Sequence, residues 1–295
     1  MRMDDEEESR NVDDRRASTG KSGGGMPSMQ TMMILWPIVK PLLKSKFGMV
    51  LIAAGVGAYM MGYNPLALIG MGGASSQPVN KVEDENRKVF ISKVLKSTED
   101  VWTETLAEYG MHYTKPTMVL YRGATRSGCG SAQSQMGPFY CPADKKVYLD
   151  LGFFDELANR HSSPGDFAQA YVLAHEIGHH IQDLEGTLDK VQRAKQSWGG
   201  QAAKSNALQV KVELQADCYA GAWAHHAQKK FKMLEPGDIE EALHAASSIG
   251  DDTLQKQAGQ RVRPDGFTHG SSQQRVSWFK RGFVSGDLRQ CNTFK

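Results

Sequence analysis

The chain has 295 residues, enough for one large domain or two small ones. Apolar residues make up 40% and charged residues 23%, so the chain as a whole is neither disordered nor fibrous. The 35 basic and 33 acidic residues nearly cancel, which gives no electrostatic reason to expect binding to nucleic acid.

The first 46 residues are predicted to form a disordered tail that ends in a basic segment. Residues 1–16 carry seven acids and four bases, and residues 17–31 are rich in Gly, Ser and Met, so neither stretch has an apolar face to bury.

Residues 47–72 are predicted to form a transmembrane anchor, because no charge occurs between Lys46 and Lys81. A span needs about 20 apolar residues and tolerates about 17, a length reached just before Asn64-Pro65. One alternative is a Gly-rich hairpin buried in a soluble core. A cleaved signal peptide is disfavoured by the 46 residues that precede the run.

The charges beside the apolar run predict its orientation. Lys40, Lys44 and Lys46 directly precede it, and no cation follows until Lys81. The positive-inside rule therefore predicts a cytoplasmic N-terminus, a single pass through the cytoplasmic membrane, and an exported domain at residues 73–295.

All four cysteines lie in the predicted exported domain, without the paired spacing of a thiolate zinc site. An even number in an oxidising compartment favours two disulfides, although four buried thiols remain an alternative. Three connectivities are possible, and the short spacing favours Cys129 with Cys141, leaving Cys218 with Cys291.

The order of predicted elements indicates an α+β fold, with strands early and helices late. The predicted strands are residues 117–121 and 146–151, separated by a Gly/Pro-rich segment at 123–142. The predicted helices are residues 82–109, 153–160, a helix through 174 to 184 ended by Gly186, 202–230, 236–249 and 271–283.

An HExxH sequence at residues 175–179 lies inside one predicted helix. Residues four apart share a helix face, so His175 and His179 can hold one zinc ion. Glu176 would lie beside the metal, where it can act as the general base toward a water molecule.

A second helix supplies an acidic pair four residues apart, Glu213 and Asp217. Catalytic zinc usually has three protein ligands, so Glu213 is the predicted third ligand. Asp217 is predicted to accept the N–H of a ligating histidine. The alternative is an exposed acid pair, but the neighbouring residues on this helix are unusually apolar.

These motifs resemble those of the bacterial neutral zinc metallopeptidase family, and the likeness spans nearly the whole chain. It is carried by residues 11–16 (NVDDRR), 128–154, 174–182 (AHEIGHHIQ), 212–224 (VELQADCYAGAWA) and 267–283. The resemblance implies a zincin-like peptidase domain with zinc on His175, His179 and Glu213 and with Glu176 as base. The long acidic start, MRMDDEEES, departs from the family pattern.

His269, in the loop before the last helix, is a candidate donor to the oxyanion of the reaction. His180 is predicted to pack away from the metal, and His225 and His226 to lie on the surface. By analogy with zincins, the strand at residues 147–150 is expected to be the sheet edge on which an extended substrate binds.

The sequence thus predicts a membrane-anchored zinc metallopeptidase that acts on a peptide or protein substrate. One alternative is a catalytically idle, zinc-stabilised exported scaffold or assembly factor. Another is an amidase that uses the same zinc site on a non-peptide substrate.

Overall fold

The computed structural model describes residues 1–17, 81–133, 136–160 and 165–295. It confirms the α+β class, with six strands and eight α-helices in these residues. The strands are β1 (Val12–Asp14), β2 (Thr117–Tyr121), β3 (Ala124–Ser127), β4 (Gly130–Gln133), β5 (Phe139–Cys141) and β6 (Lys146–Asp150). The helices are α1 (Lys81–Glu108), α2 (Leu151–Arg160), α3 (Asp166–Leu184), α4 (Thr187–Ser197), α5 (Ala202–Phe231), α6 (Asp238–Ser248), α7 (Asp251–Gln257) and α8 (Ser272–Ser285).

Four strands form one sheet in the order β1-β2-β6-β5. Strand β2 pairs in parallel with β1 and with β6, whereas β5 pairs with β6 in the antiparallel direction. Strand β6 is therefore internal, and its expected role as the sheet edge is wrong. The edges are β1 and β5, and β5 lies inside the segment that its Gly and Pro content marked as a loop.

Residues 1–17 are not the solvated tail that the sequence predicts. Strand β1 pairs with β2 in the register Val12 to Met118, and the Arg15 N–H donates to the Leu120 carbonyl at 2.7 Å. Ser9 Oγ donates to the buried carboxylate of Glu99 at 2.6 Å. The high charge density is misleading because the acids and bases of this segment pair with one another and with α1.

This strand pairing bears on the predicted membrane topology. Adjacent strands lie about 4.8 Å apart, whereas the apolar layer of a bilayer is about 30 Å thick. The sheet therefore holds residues 12–14 and 117–121 on the same side of any membrane. A cytoplasmic N-terminus followed by one crossing and an exported domain does not fit this fold.

The predicted anchor at residues 47–72 lies outside the described residues, as do residues 18–46 of the predicted tail. Among the helices that are described, none combines the length and the apolar character needed to cross a membrane.

Both predicted disulfides are confirmed. Cys129 is bonded to Cys141 across the end of the β3–β4 hairpin, and Cys218 of α5 is bonded to Cys291 near the C-terminal end. The second bond fixes the chain end that follows α8 against the helix that carries Glu213.

Helices α3, α5 and α8 pack closely and carry most of the site. A Cβ atom at Gly178 of α3 would lie 2.9 Å from the Ala216 carbonyl oxygen of α5. A Cβ atom at Gly282 of α8 would overlap the Cys218 carbonyl oxygen. Larger residues at these two positions would push α5 away from its neighbours, so both glycines set the spacing of the three helices.

Candidate zinc-binding active site

Three side chains converge where α3 crosses α5. His175 and His179 lie one turn apart on α3, with ring centroids 4.8 Å apart. Glu213 of α5 faces both rings, and its Oε2 atom lies 3.2 Å from His175 Nε2 and 3.4 Å from His179 Nε2. The fold thus brings together the three side chains that the sequence predicts as zinc ligands.

The tautomer of His175 is fixed by Asp217. His175 Nδ1 lies 2.9 Å from Asp217 Oδ1. Because an ionised carboxylate only accepts hydrogen bonds, Nδ1 must carry the proton of this contact. The Nε2 atom of the neutral ring then directs a lone pair toward Glu213. This is the contact that the sequence predicts for Asp217.

The tautomer of His179 is fixed by Gln182, a fully buried residue that the sequence reasoning missed. Gln182 Nε2 donates to the Val212 carbonyl at 2.8 Å, so its Oε1 atom must face His179 Nδ1, 2.9 Å away. The neutral ring of His179 therefore carries its proton on Nδ1 and a lone pair on Nε2. Gln182 lies within the AHEIGHHIQ stretch, so the family resemblance was the signal that could have found it.

The convergent atoms fit a zinc ion. With both rings neutral, two imidazole lone pairs and a carboxylate oxygen face one another, and the repulsion is relieved either by a second proton on a ring or by a cation between the three groups. Burial alone would lower the pKa of His175, but Asp217 and Glu213 raise it to about 10. The carboxylates around this ring therefore favour a positive charge at the site. A His₂Glu set is typical of catalytic zinc.

Glu176 lies beside these ligands without joining them. Its side chain is buried, with 7% of the residue exposed, and it lines the same cavity as His175, His179 and Glu213. No described residue donates a hydrogen bond to its carboxylate. A buried carboxylate with free acceptor atoms in a cavity of about 710 Å³ can accept a proton from a water molecule.

Arg275 is a second residue that the sequence reasoning missed. It is buried in the first turn of α8, where Nε and one terminal nitrogen each donate to the Asp217 carboxylate at 2.9 Å. Tyr171 Oη donates to the same carboxylate at 2.5 Å. Burial raises the pKa of Asp217, but Arg275 and His175 hold it at about 2. Asp217 is therefore ionised and held in one orientation.

His269 lines the cavity from the loop before α8. Its backbone N–H and those of Thr268 and Gly270 all donate to Asp251 Oδ2, at 2.6 to 2.9 Å. The imidazole is 51% exposed, and its Nδ1 atom lies 3.4 Å from Asp251 Oδ1. The loop is thus fixed and places the ring at the cavity, and its role toward an oxyanion stays a prediction.

The remaining histidines near these helices have structural contacts. His180 is buried, with its ring nitrogens facing the Tyr140 hydroxyl and the Thr114 carbonyl. His225 and His226 are half-buried and donate to the Phe283 and Gly286 carbonyls. Their prediction as surface residues is wrong, because α8 packs closely enough to cover them.

The comparisons with known proteins agree with this geometry. The chain belongs to the family described as "Putative neutral zinc metallopeptidase", whose model matches residues 1–294. This confirms the resemblance inferred from the sequence. No solved structure matches the chain.

The relatives include a protein of Escherichia coli K12 named "Uncharacterized protein YpfJ". It is 47% identical over 303 aligned positions, which cover 100% of this chain and 99% of that protein. The Mycobacterium tuberculosis H37Rv protein named "Uncharacterized protein Rv2575" is 44% identical over 208 positions, which cover 67% of each chain.

Proposed function

We propose that this protein is a zinc-dependent peptidase that hydrolyses peptide bonds with Glu176 as the general base. The observation that carries the proposal is the division of roles at the α3–α5 crossing. Two imidazole Nε2 atoms and one carboxylate converge on a single point, and a separate buried carboxylate beside them accepts no hydrogen bond from the described residues.

His175, His179 and Glu213 would hold the zinc ion. When bound, zinc supplies a Lewis acid that lowers the pKa of water to about 7 and polarises the scissile carbonyl. Glu176 accepts the proton that the attacking water loses and delivers it to the leaving amine. His269, at the cavity rim, donates a hydrogen bond to the carbonyl oxygen as negative charge develops there.

The sheet edge supports a peptide substrate. Phe139 and Tyr140 of β5 line the cavity that contains the predicted ligands. Strand β5 ends the sheet, so an extended peptide can pair with its free edge and run past Glu176. This favours a peptidase over an amidase acting on a compact non-peptide substrate.

The test separates catalysis from metal binding. Purified protein should contain one zinc ion and cleave members of a peptide library, and chelation should abolish cleavage until zinc is restored. Glu176→Gln should keep stoichiometric zinc and lose most hydrolysis. Wild-type cleavage rates in this variant would refute the role of Glu176. Zinc retention with no hydrolysis by the wild type would instead indicate an inactive scaffold.

We also propose a cellular location for the folded unit. Two disulfides favour an oxidising compartment for the folded unit. We keep residues 47–72 as the membrane-associated segment, with the chain before and after it on the same side of the membrane, because β1 joins the sheet.

Paired accessibility measurements test this placement. Single cysteines at Asp5 and Val284, both exposed, should react with a membrane-impermeant maleimide in intact cells. Labelling of only one position would contradict the common side, and labelling of neither until the cells are opened would place the unit in the cytoplasm.

A further inference from the structure

Lys195 of α4 is a cation that lines the active-site cavity and has no carboxylate partner in the described part of the chain. Of the other cations there, Arg275 pairs with Asp217 and His269 lies against Asp251. Lys195 is half-buried, and among the described residues its Nζ atom contacts only a neutral group, the Oε1 atom of Gln209. Burial lowers the pKa of Lys195 and the charge of Glu213 offsets this only in part, so the ammonium charge is incompletely compensated.

Gln209 holds Lys195 close to the predicted metal ligands. Gln209 Nε2 donates to Glu213 Oε1 at 2.7 Å, so the amide oxygen of Gln209 must face the other way, toward Lys195. The ammonium therefore lies two hydrogen bonds from Glu213. It has three N–H groups and uses one on Gln209, which leaves donors for a group that enters the cavity.

We propose that Lys195 is a specificity-determining residue that binds a carboxylate of the substrate beside the scissile bond. This rests on the proposed peptidase function. A substrate carboxylate would be repelled by Glu176, whose charge no metal neutralises, and among the described residues Lys195 is a cation of the cavity wall with donors available to offset this repulsion. Charge-assisted hydrogen bonds between ammonium and carboxylate are about twice as strong as neutral ones. The carboxylate can belong to an acidic side chain or to the C-terminus of a peptide.

The experiment compares three peptide sets of the same sequences, digested by the zinc-loaded full-length protein. The first set has blocked ends and Glu beside the candidate cleavage positions, the second has blocked ends and Gln there, and the third has Gln and a free C-terminal carboxylate. Mass spectrometry gives the ratio of cleavage rates of each acidic set to the blocked Gln set. We expect a ratio of about ten or more for one acidic set, and the set that shows it identifies the source of the carboxylate.

Three variants connect that ratio to Lys195. Lys195→Met should reduce the ratio to near one, and Lys195→Arg should retain most of it. Lys190→Met, which removes an exposed lysine of the same helix, should leave the ratio as in the wild type. An equal loss on all three sets in Lys195→Met would show that Lys195 only positions Gln209, and it would overturn the proposal. A wild-type ratio near one would overturn it too.

A binding measurement separates this proposal from the proposed function. Fluorescence anisotropy on zinc-loaded Glu176→Gln protein should show tighter binding of the acidic peptides, and Lys195→Met in that background should abolish the difference. If the wild type cleaves no peptide but this difference is present, the carboxylate site stands and the peptidase assignment fails. If the wild type cleaves peptides but this binding difference is absent, the peptidase assignment stands and the carboxylate site fails.

Discussion

The two histidines of the candidate zinc site lie one turn apart on α3, yet their surroundings differ in charge. On one side, His175 contacts Asp217, which is held by Arg275 and Tyr171 in a fully buried charged network. On the other side, His179 contacts Gln182, a neutral amide that is held by the backbone of α5. In the neutral form of each ring, both arrangements leave a lone pair on Nε2, so the same ligand geometry is obtained from a charged and from an uncharged support.

The uncharged side extends to the end of the chain. Gln182 Nε2 also donates to Gln215 Oε1 at 2.9 Å, and Gln215 Nε2 donates to the Cys291 carbonyl at 3.2 Å. Two backbone carbonyls thereby fix the orientation of both amides. The charged side depends instead on keeping Asp217 and Arg275 paired, because a buried charge without its partner is costly. The two supports should therefore fail differently when they are mutated.

The largest loss of zinc binding and hydrolysis is expected at Glu213, where the charged and uncharged sides meet. Glu213→Ala removes the ligand that faces both rings, so the protein should purify nearly free of zinc and lack hydrolytic activity. Metal analysis and a circular dichroism spectrum measure this loss in folded protein. Asp189→Ala, which removes an exposed carboxylate that lines the same cavity, should retain zinc. Full zinc occupancy in Glu213→Ala would place the third ligand elsewhere.

On the charged side, Asp217→Asn should affect both metal affinity and stability. Loss of a residue that orients a ligand weakens metal binding by about 10 to 100-fold. The substitution also leaves Arg275 buried without a carboxylate, which should lower the free energy of unfolding by about 3–5 kcal/mol. Competition with a chelator measures the first effect, and urea unfolding of metal-free protein measures the second. An unchanged stability would show that the Asp217–Arg275 pair is not a stabilising contact.

On the uncharged side, Gln182→Leu should weaken zinc binding by a comparable 10 to 100-fold, because His179 loses the acceptor that fixes its tautomer. Its cost in unfolding free energy should be smaller, about 1–3 kcal/mol, since only neutral hydrogen bonds are lost. The same two measurements apply. A stability loss as large as that of Asp217→Asn would contradict the distinction between the two sides.

The smallest expected effect is a coupling energy measured by double-mutant cycles on metal-free protein. Asp217→Asn and Arg275→Met share one network, so their combined stability loss should differ from the sum by more than about 0.5 kcal/mol. Asp217→Asn and Gln182→Leu share no partner, so their losses should add within about 0.5 kcal/mol. Strong coupling in the second pair would mean that the two supports act as one network.

Features that depend on local spacing could be predicted from the sequence. Helical periodicity placed His175 and His179 on one face, and the same rule placed Glu213 and Asp217 together on α5. The bounds of the long helices were also predicted closely, as with α5, expected at residues 202–230 and observed at Ala202–Phe231. The cysteine pairing followed from spacing as well, because Cys129 and Cys141 are separated by only 12 positions.

Contacts between distant segments depend on the tertiary structure and could not be predicted from local patterns. Arg275 reaches Asp217 across 58 residues of sequence, because Gly282 lets α8 pack directly on α5. Strand β1 joins β2 from more than 100 residues away, so a segment whose charges indicate a solvated tail becomes part of the sheet. Local periodicity shows which side chains share a face, but the partner of that face depends on how closely two backbones approach.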